Sequence, residues 1–371
     1  MARERTRKAE SLLPATNFNR RTERLCDMEE FEQLNIFDIT LPKFRIDKPI
    51  RLIELFAGIG SQAMALRDLG ADFEHHRVVE FDKFAIASYN AIHGTDFPAI
   101  DITKISGADL GITSTDKYCY LMTYSFPCQD LSVAGKQKGM AQGSGTRSGL
   151  LWEVERLLNE VKNLPQVLIM ENVPQVHSQI NMNDFQKWIE FLESKGYSNH
   201  WKDLNAKDYG VKQNRQRCFM VSILGNWHFK FPCKIPLKIK TTDYLIESEE
   251  KKHYIKNEKA NKFISDIGKQ KMIFQDVIVV KTREMRIAEN NMCGTLTTDS
   301  CTSSSHNGSY GIIEGDRIRL FTANECWRLM GFSDIDFQKA EKVNSNSQLY
   351  KQAGNSIVKD VLIRIFRQLI A

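Results

Sequence analysis

Three short stretches of this chain carry reactive side chains in an order that suggests one reaction centre. Phe126-Pro127-Cys128-Gln129 offers a thiol, Met170-Glu171-Asn172-Val173 a carboxyl group, and Gln213-Asn214-Arg215-Gln216-Arg217 two guanidinium groups. A thiol nucleophile, a carboxyl proton donor and two cations are the groups needed to attack a pyrimidine ring. Any one of the eight cysteines is by default a small buried hydrophobe. Cys128 escapes that default because it follows Pro127 at the end of an apolar stretch and precedes a polar, glycine-rich loop, Gln129–Ser148. Its thiolate must form at neutral pH, which calls for positive charge nearby. Glu171 can donate a proton only if burial raises its pKa; without a nearby thiol it reads as an ordinary strand-end carboxylate. Arg215 and Arg217 alternate on a strand entrance, so they are expected on opposite faces. A surface ion pair is the other reading for one of them.

These groups need a scaffold that brings three distant segments together, and the apolar pattern predicts one. Arg51–Phe56, Arg77–Glu80, Tyr118–Tyr124, Gln166–Met170 and Arg217–Leu224 read as strands, with Ser61–Leu69, Lys83–Ile92 and Leu150–Val161 as helices. The alternation implies an α/β fold with a doubly wound, mostly parallel sheet, whose sites lie at the carboxyl ends of its strands. Cys128 and Glu171 sit at or just past such ends. Leu55-Phe56-Ala57-Gly58-Ile59-Gly60-Ser61-Gln62-Ala63 leaves the first strand and opens a helix, a G-x-G-x-x-A turn with backbone N–H groups free to meet a ligand. Glu80 lies 20 residues past Gly60 at the end of the next strand, placed to accept hydrogen bonds from a ribose. Alone, this turn fits NAD(P) or FAD as well as S-adenosylmethionine.

Composition narrows the class further. A chain of 371 residues fits one catalytic domain plus a smaller module. No apolar run is long enough to span a membrane, and the charged start MARERTRKAE is not a signal peptide, so a cytoplasmic location is expected. Cys26, Cys119, Cys128, Cys218, Cys233, Cys293, Cys301 and Cys326 form no CxxC pair, which argues against a zinc site and a disulfide framework. The net charge of +5 is uneven: Lys and Arg outnumber Asp and Glu by 14 to 8 between Lys230 and Arg286, and by 7 to 3 over residues 1–25. Such patches fit a polyanion partner, though a solvated face reads the same way.

From about Ile50 to the C-terminus, in matching motif order, the chain resembles the DNA (cytosine-5)-methyltransferases of bacterial and phage restriction–modification systems and their orphan relatives. The resemblance implies S-adenosyl-L-methionine as cofactor, held by Phe56, Ala57, Gly58, Ile59 and Gly60, with Glu80 at the ribose. Phe81, alternatively a core residue, would stand near the adenine, with Asp101 and Ile102 also in contact. Pro127, Leu150, Asn355 and Ser356 complete the implied cofactor site. It also implies that Cys128 adds to carbon 6 of cytosine while Glu171 protonates ring nitrogen 3, Arg217 meets the carbonyl oxygen and Arg215 supports it. A stacked base is out of reach, so the target must be flipped from the duplex. Gln129–Ser148 would close over it, Gln129 and Ser132 filling the gap or touching phosphates. Gly294-Thr295-Leu296-Thr297-Thr298 resembles a Thr-Leu motif of the family's recognition domains, giving Thr297 and Thr298 as nucleic-acid contacts. Arg317–Phe332 resembles the family's ninth motif, with Ala323-Asn324 in place of the usual Pro-Arg.

The expected organisation is an N-terminal arm (1–49), holding a helix near Asp27–Leu34, a catalytic and cofactor-binding domain (50–233), a target-recognition domain (234–335) and a returning C-terminal segment (336–371). The expected partners are double-stranded DNA and a cognate restriction endonuclease, the expected state a monomer. Two other readings stay open at this point: a tRNA cytosine-5 methyltransferase of similar architecture, and a catalytically silent DNA-binding relative.

Overall fold

The computed structural model describes residues 42–131, 139–143, 145–246, 253–267, 276–306 and 308–370. The helix expected near Asp27–Leu34, and Ser132, lie outside those residues. The strands β1 (Ile50–Leu55), β2 (Phe73–Val79), β3 (Cys119–Tyr124), β4 (Val167–Asn172), β5 (Tyr197–Asn205), a two-residue β6 (Gln213–Asn214) and β7 (Gln216–Leu224) succeed one another along the chain. All but β6 join one sheet in the order β2-β1-β3-β4-β7-β5. The pairs from β2 to β4 are parallel, and β7 runs antiparallel to both β4 and β5. β3 and β4 are buried along their whole length, as strands covered on both faces must be, which is why they read as unbroken apolar runs.

Side chains alternate between the two faces. Ile53, Met122 and Met170 share a core with Leu157 of α3 (Leu151–Glu160) and Trp188 of α4 (Met182–Ser194). Leu52, Leu121 and Ile169 share another with Leu66 of α1 (Ser61–Leu69). Helix α2 (Lys83–His93) starts on an Asp82 side chain that accepts from the Phe84 amide. Gly60, at the start of α1, has φ 83, and a Cβ there would stand 2.3 Å from His93 Nε2, so only glycine fits. The sequence reading missed α4 and β5. The middle of β5, Ser-Asn-His-Trp-Lys-Asp, is polar because it forms a sheet edge, so no two-residue alternation marks it.

A second sheet follows, built from β8 (Val279–Lys281), β9 (Arg286–Ile287), β11 (Tyr310–Glu314) and β12 (Arg317–Leu320) in the order β12-β11-β8-β9. Ala260 and Ile267 of α5 (Glu258–Ile267) close its core against Val280, Ile313 and Leu320. The short β10 (Cys293–Gly294) pairs with β6 in a separate two-stranded sheet and so ties this region to the segment that leads into β7. The chain then returns through α6 (Ala323–Leu329), α7 (Asp334–Glu341), α8 (Asn346–Asn355) and α9 (Lys359–Leu369). Trp327, Leu349 and Leu362 from these helices lie in the same core as Leu66. Where the second sheet hands over to α6, a buried Arg319 grips Glu325 through two bonds of 2.8 Å, and Glu325 also accepts from the Thr322 amide. Residues 42–49 join the far end of the molecule, where Arg45 Nη1 donates to the Gln368 carbonyl at 2.7 Å.

Candidate active site

The reversed strand explains how distant motifs meet. Parallel β3 and β4 deliver Cys128 and Glu171 at their carboxyl ends. β7 runs the other way, with Phe219 opposite Glu171 and Cys218 opposite Asn172, so its beginning stands beside the end of β4. Arg217 therefore reaches Glu171, Nε to Oε1 at 3.2 Å, with both side chains largely withdrawn from water. The Asn172 amide donates to the Phe126 carbonyl at 2.9 Å and fixes the two motif loops to each other. Ser148 holds the Pro127 carbonyl at 2.7 Å.

Burial pushes the Glu171 carboxyl up, and Arg217 and Arg215 only partly oppose it, so the proton that a donor needs is favoured. Cys128 is half-buried, and burial pushes its thiol up as well; Arg217 and Arg215 pull it down while Glu171 works with burial. The positive surroundings expected from the sequence are present but outweighed. Arg215 falls in the break between β6 and β7, where strand alternation does not apply, and both residues line one hollow with Leu204, Phe219 and Ile357. Arg215 is buried and donates to three carbonyls: Leu296 at 2.7 Å, Gly354 at 2.9 Å and Ser356 at 2.8 Å. Gln213 grips the same segment, accepting from the Leu296 amide at 3.3 Å and donating to the Leu329 carbonyl at 2.9 Å. Sequence reasoning missed this bracing, since carbonyl acceptors leave no trace in residue identity.

The glycine turn lies at the end of β1. Phe56 there has φ 58, a left-handed conformation that costs a non-glycine residue about 1–2 kcal/mol and needs surrounding structure to hold it. Ala57 and Ile59 are buried. Gly58 has φ 57, and a Cβ on it would meet nothing within 4 Å. Its amide donates to Glu80 Oε2 at 2.8 Å. The Ile100 amide donates to the Glu80 carbonyl at 2.8 Å, which brings Asp101 and Ile102 alongside; Ile102 is buried and Asp101 accepts from the Thr103 amide. Phe81 is 75% exposed, so the core reading of that residue fails and a bare aromatic face stands next to the ribose acceptor. Lys351 of α8 donates to Asp82 at 2.8 Å, drawing the helix that ends in Asn355 towards this edge. Asn355 is exposed, and Ser356 is buried with its hydroxyl on the Gln352 carbonyl. Leu150 packs beside the core at the start of α3. An open glycine edge, a mostly buried acceptor and an exposed ring fit an adenosine.

On the nucleic-acid side, Gln129 accepts from Arg147 Nη1 at 2.6 Å. The Thr297 hydroxyl lies 3.0 Å from Ser300 Oγ, and the backbone of Thr297 and Thr298 passes directly against Gly354, where a Cβ would sit 2.3 Å from a Thr297 backbone atom. These two threonines thus stand beside the carbonyls held by Arg215.

Fold and site together define an α/β methyltransferase of the S-adenosylmethionine-dependent class. Solved structures agree in fold: S. pombe Dnmt2 methyltransferase superposes with a TM-score of 0.62 at 20% identity, covering 85% of this chain and 96% of its own. The Entamoeba histolytica methyltransferase EhMeth gives 0.65 at 18%, covering 87% and 98%. The model of the C-5 cytosine-specific DNA methylase family matches residues 50–371, and the chain belongs to that family. It is similar to the type II methyltransferase M2.ScrFI of Lactococcus lactis subsp. cremoris (34% identity, 86% of this chain and 99% of the relative), the orphan methyltransferase M.SssI of Spiroplasma monobiae (31%, 85% and 96%) and the type II methyltransferase M.HhaI of Haemophilus parahaemolyticus (32%, 84% and 92%). Its cofactor is accordingly S-adenosyl-L-methionine and its substrate DNA. Among the described residues no helix is long and apolar enough to cross a membrane.

Proposed function

We propose that this chain methylates carbon 5 of cytosine within one short double-stranded DNA sequence, with Cys128 as nucleophile and Glu171 as proton donor. The observation that carries the assignment is the Glu171–Arg217 pair at 3.2 Å, held in a desolvated pocket whose two arginine charges also bear on Cys128. Carbon 5 of cytosine is a poor nucleophile until carbon 6 bears an electron-rich substituent. Cys128 sulfur bonds to carbon 6 while the Glu171 proton moves to nitrogen 3, leaving an enamine-like ring whose carbon 5 can attack. Arg217 holds the carbonyl oxygen of the ring, and Arg215 positions Arg217 and the segments behind it. The cofactor supplies an electrophilic methyl group. After transfer, loss of the carbon-5 proton to solvent water expels Cys128 as thiolate, and the nitrogen-3 proton returns to Glu171, restoring the aromatic ring and the donor.

Phe56, Ala57, Gly58, Ile59 and Gly60 wrap the cofactor, Glu80 accepts from its ribose, and Phe81, Asp101 and Ile102 frame the adenine, with Pro127, Leu150, Asn355 and Ser356 closing the site. Residues 234–335 read the target sequence and the flanking segments 50–233 and 336–371 do the chemistry, with Gln129, Thr297 and Thr298 nearest the DNA. A complete set of groups on one chain supports action as a monomer in the cytoplasm, on the nucleoid. In a restriction–modification setting the partner is a cognate endonuclease.

The test is incubation with S-adenosylmethionine and mixed-sequence duplex DNA, followed by bisulfite mapping, with Cys128→Ser in parallel. Protected cytosines confined to one short motif, and absent with the variant, are the expected result. Unprotected DNA from folded, cofactor-binding protein would overturn it in favour of an RNA substrate or a silent binder.

A further inference from the structure

Asp203 and Cys218 face each other across the β5–β7 pair. His177, at the end of the single turn that follows β4, lies 2.9 Å from Asp203 Oδ1 through its Nε2. One nitrogen, one oxygen and one sulfur donor thus stand within 4.8 Å of one another, from residues too far apart in sequence for any spacing motif to reveal. We propose that His177, Asp203 and Cys218 form a binding site for a zinc-class divalent cation, distinct from the cofactor turn and from Cys128.

The mixed donor set selects the class of ion. Imidazole and thiolate together suit zinc and cobalt(II) rather than magnesium or calcium, which prefer oxygen. Zinc bonds nitrogen and oxygen at about 2.0–2.2 Å and sulfur at about 2.3 Å, so tetrahedral donors stand about 3.3–3.7 Å apart. At 2.9 Å the nitrogen and oxygen are in direct hydrogen-bond contact and must part by about half an ångström to admit the ion, while the sulfur needs to approach by up to about an ångström. Outer contacts hold the ligands in place, as metal sites require. Gln216 Nε2 donates to the other Asp203 oxygen at 3.2 Å. The imidazole packs against the rings of Trp201, 4.8 Å away, and Phe185, 6.1 Å away, which also touch each other at 5.3 Å. His177 and Asp203 each keep about a fifth of their side chain in solvent, which leaves an entry path and room for a water as fourth ligand, while Cys218 is fully buried behind them. The imidazole and the Cys218 thiol both engage the one Asp203 carboxylate, so the three donors converge on a single point. Binding forms a sulfur–metal bond, and the Cys218 proton leaves to solvent with no change of oxidation state. The ion would tie the edge of the sheet to the loop carrying the Glu171 motif.

The experiment is titration of the reduced, chelator-treated full chain with cobalt(II), read by absorbance. Expected are thiolate-to-cobalt charge-transfer and tetrahedral ligand-field bands saturating at one equivalent, displaced by zinc, with one proton released per ion. Cys128→Ser must keep these bands. Cys218→Val and His177→Gln must each weaken binding at least about tenfold, which is about 1.4 kcal/mol. Should Cys218→Val fail to fold, His177→Gln and Asp203→Asn, both at partly exposed positions, decide the question, with melting curves as the folding control. No band in the parent chain, bands that survive the substitutions at His177 and Cys218, or bands lost only with Cys128→Ser would each overturn the proposal.

Discussion

Glu171→Gln separates catalysis from stability in this site more cleanly than any other substitution. Glutamine matches the size of the side chain and keeps an oxygen for Arg217 Nε, now 3.2 Å from Glu171 Oε1. A charged hydrogen bond of about 1.5–3 kcal/mol becomes a neutral one of about 0.5–1.5 kcal/mol, and the burial of a charge is relieved, so stability should move by no more than about 1 kcal/mol. The proton donor, by contrast, is gone. General-acid loss costs about 10²–10⁴ in rate, or about 3–5 kcal/mol of transition-state stabilisation. The pH profile sharpens the test. Burial raises both the Glu171 carboxyl and the Cys128 thiol, and a carboxyl ordinarily ionises well before a thiol. The productive form needs the opposite arrangement, a proton on Glu171 and none on Cys128. The parent kcat/KM should therefore rise on the acid side with the ionisation of Glu171 and fall on the alkaline side with that of Cys128. In Glu171→Gln only the thiol titrates, so the alkaline fall becomes a rise. Methyl transfer to duplex DNA across pH, with urea denaturation alongside, measures both. A loss under tenfold, or an alkaline limb that still falls, refutes the assignment of Glu171.

Arg215→Met removes the donors to Leu296, Gly354 and Ser356 and strands three buried carbonyls, so unfolding free energy should drop by about 3–5 kcal/mol. A loss below about 1 kcal/mol in denaturant titration would show that the brace is idle. Phe81→Ala, at a residue 75% exposed, should leave stability within about 0.5 kcal/mol. Cofactor affinity, followed by calorimetry, should fall about tenfold as about 1–3 kcal/mol of stacking is lost. Beneath the glycine turn, Tyr89 OH donates to Glu54 at 2.5 Å and lies 2.6 Å from His75, whose ring neighbours that of His93. Burial pushes His93 down to about 3 and Glu54 up to about 7. Stability from His93 is full above 6.5 and lost as pH falls towards 3, whereas that from Glu54 is full below 4.5 and lost as pH rises towards 7. Between 4.5 and 6.5 the two slopes cancel, so denaturation midpoints should be level there in the parent chain. In Glu54→Gln they should decline steadily with falling pH, and a level profile in that variant would contradict the opposition.

Much of the large sheet was legible because parallel strands buried on both faces must be apolar throughout. β1, β3, β4 and β7 each announced themselves, and Cys128, Glu171 and Arg217 at their ends come together as the motif order suggests. The polar edge strand β5 and the second sheet were not legible. β8 and β9 are three and two residues long, and β11 pairs with β8 across a wide gap in sequence, so neither period nor neighbours betray them. The strand rule does not extend to Arg215, because a break in pairing precedes β7. The state of the Cys128 thiol was equally hidden, since positive neighbours can be read from a motif but depth of burial cannot.

Gly354 touching the Thr297–Thr298 backbone sets which substitutions the joint between these two segments can tolerate. At that joint two main chains pass with no room for a side chain between them, a Cβ falling 2.3–2.5 Å from three backbone atoms. A side chain added at position 354, or a shifted main chain at 297–298, would wedge the two segments apart and loosen the carbonyls of Leu296 and Gly354 that Arg215 holds together.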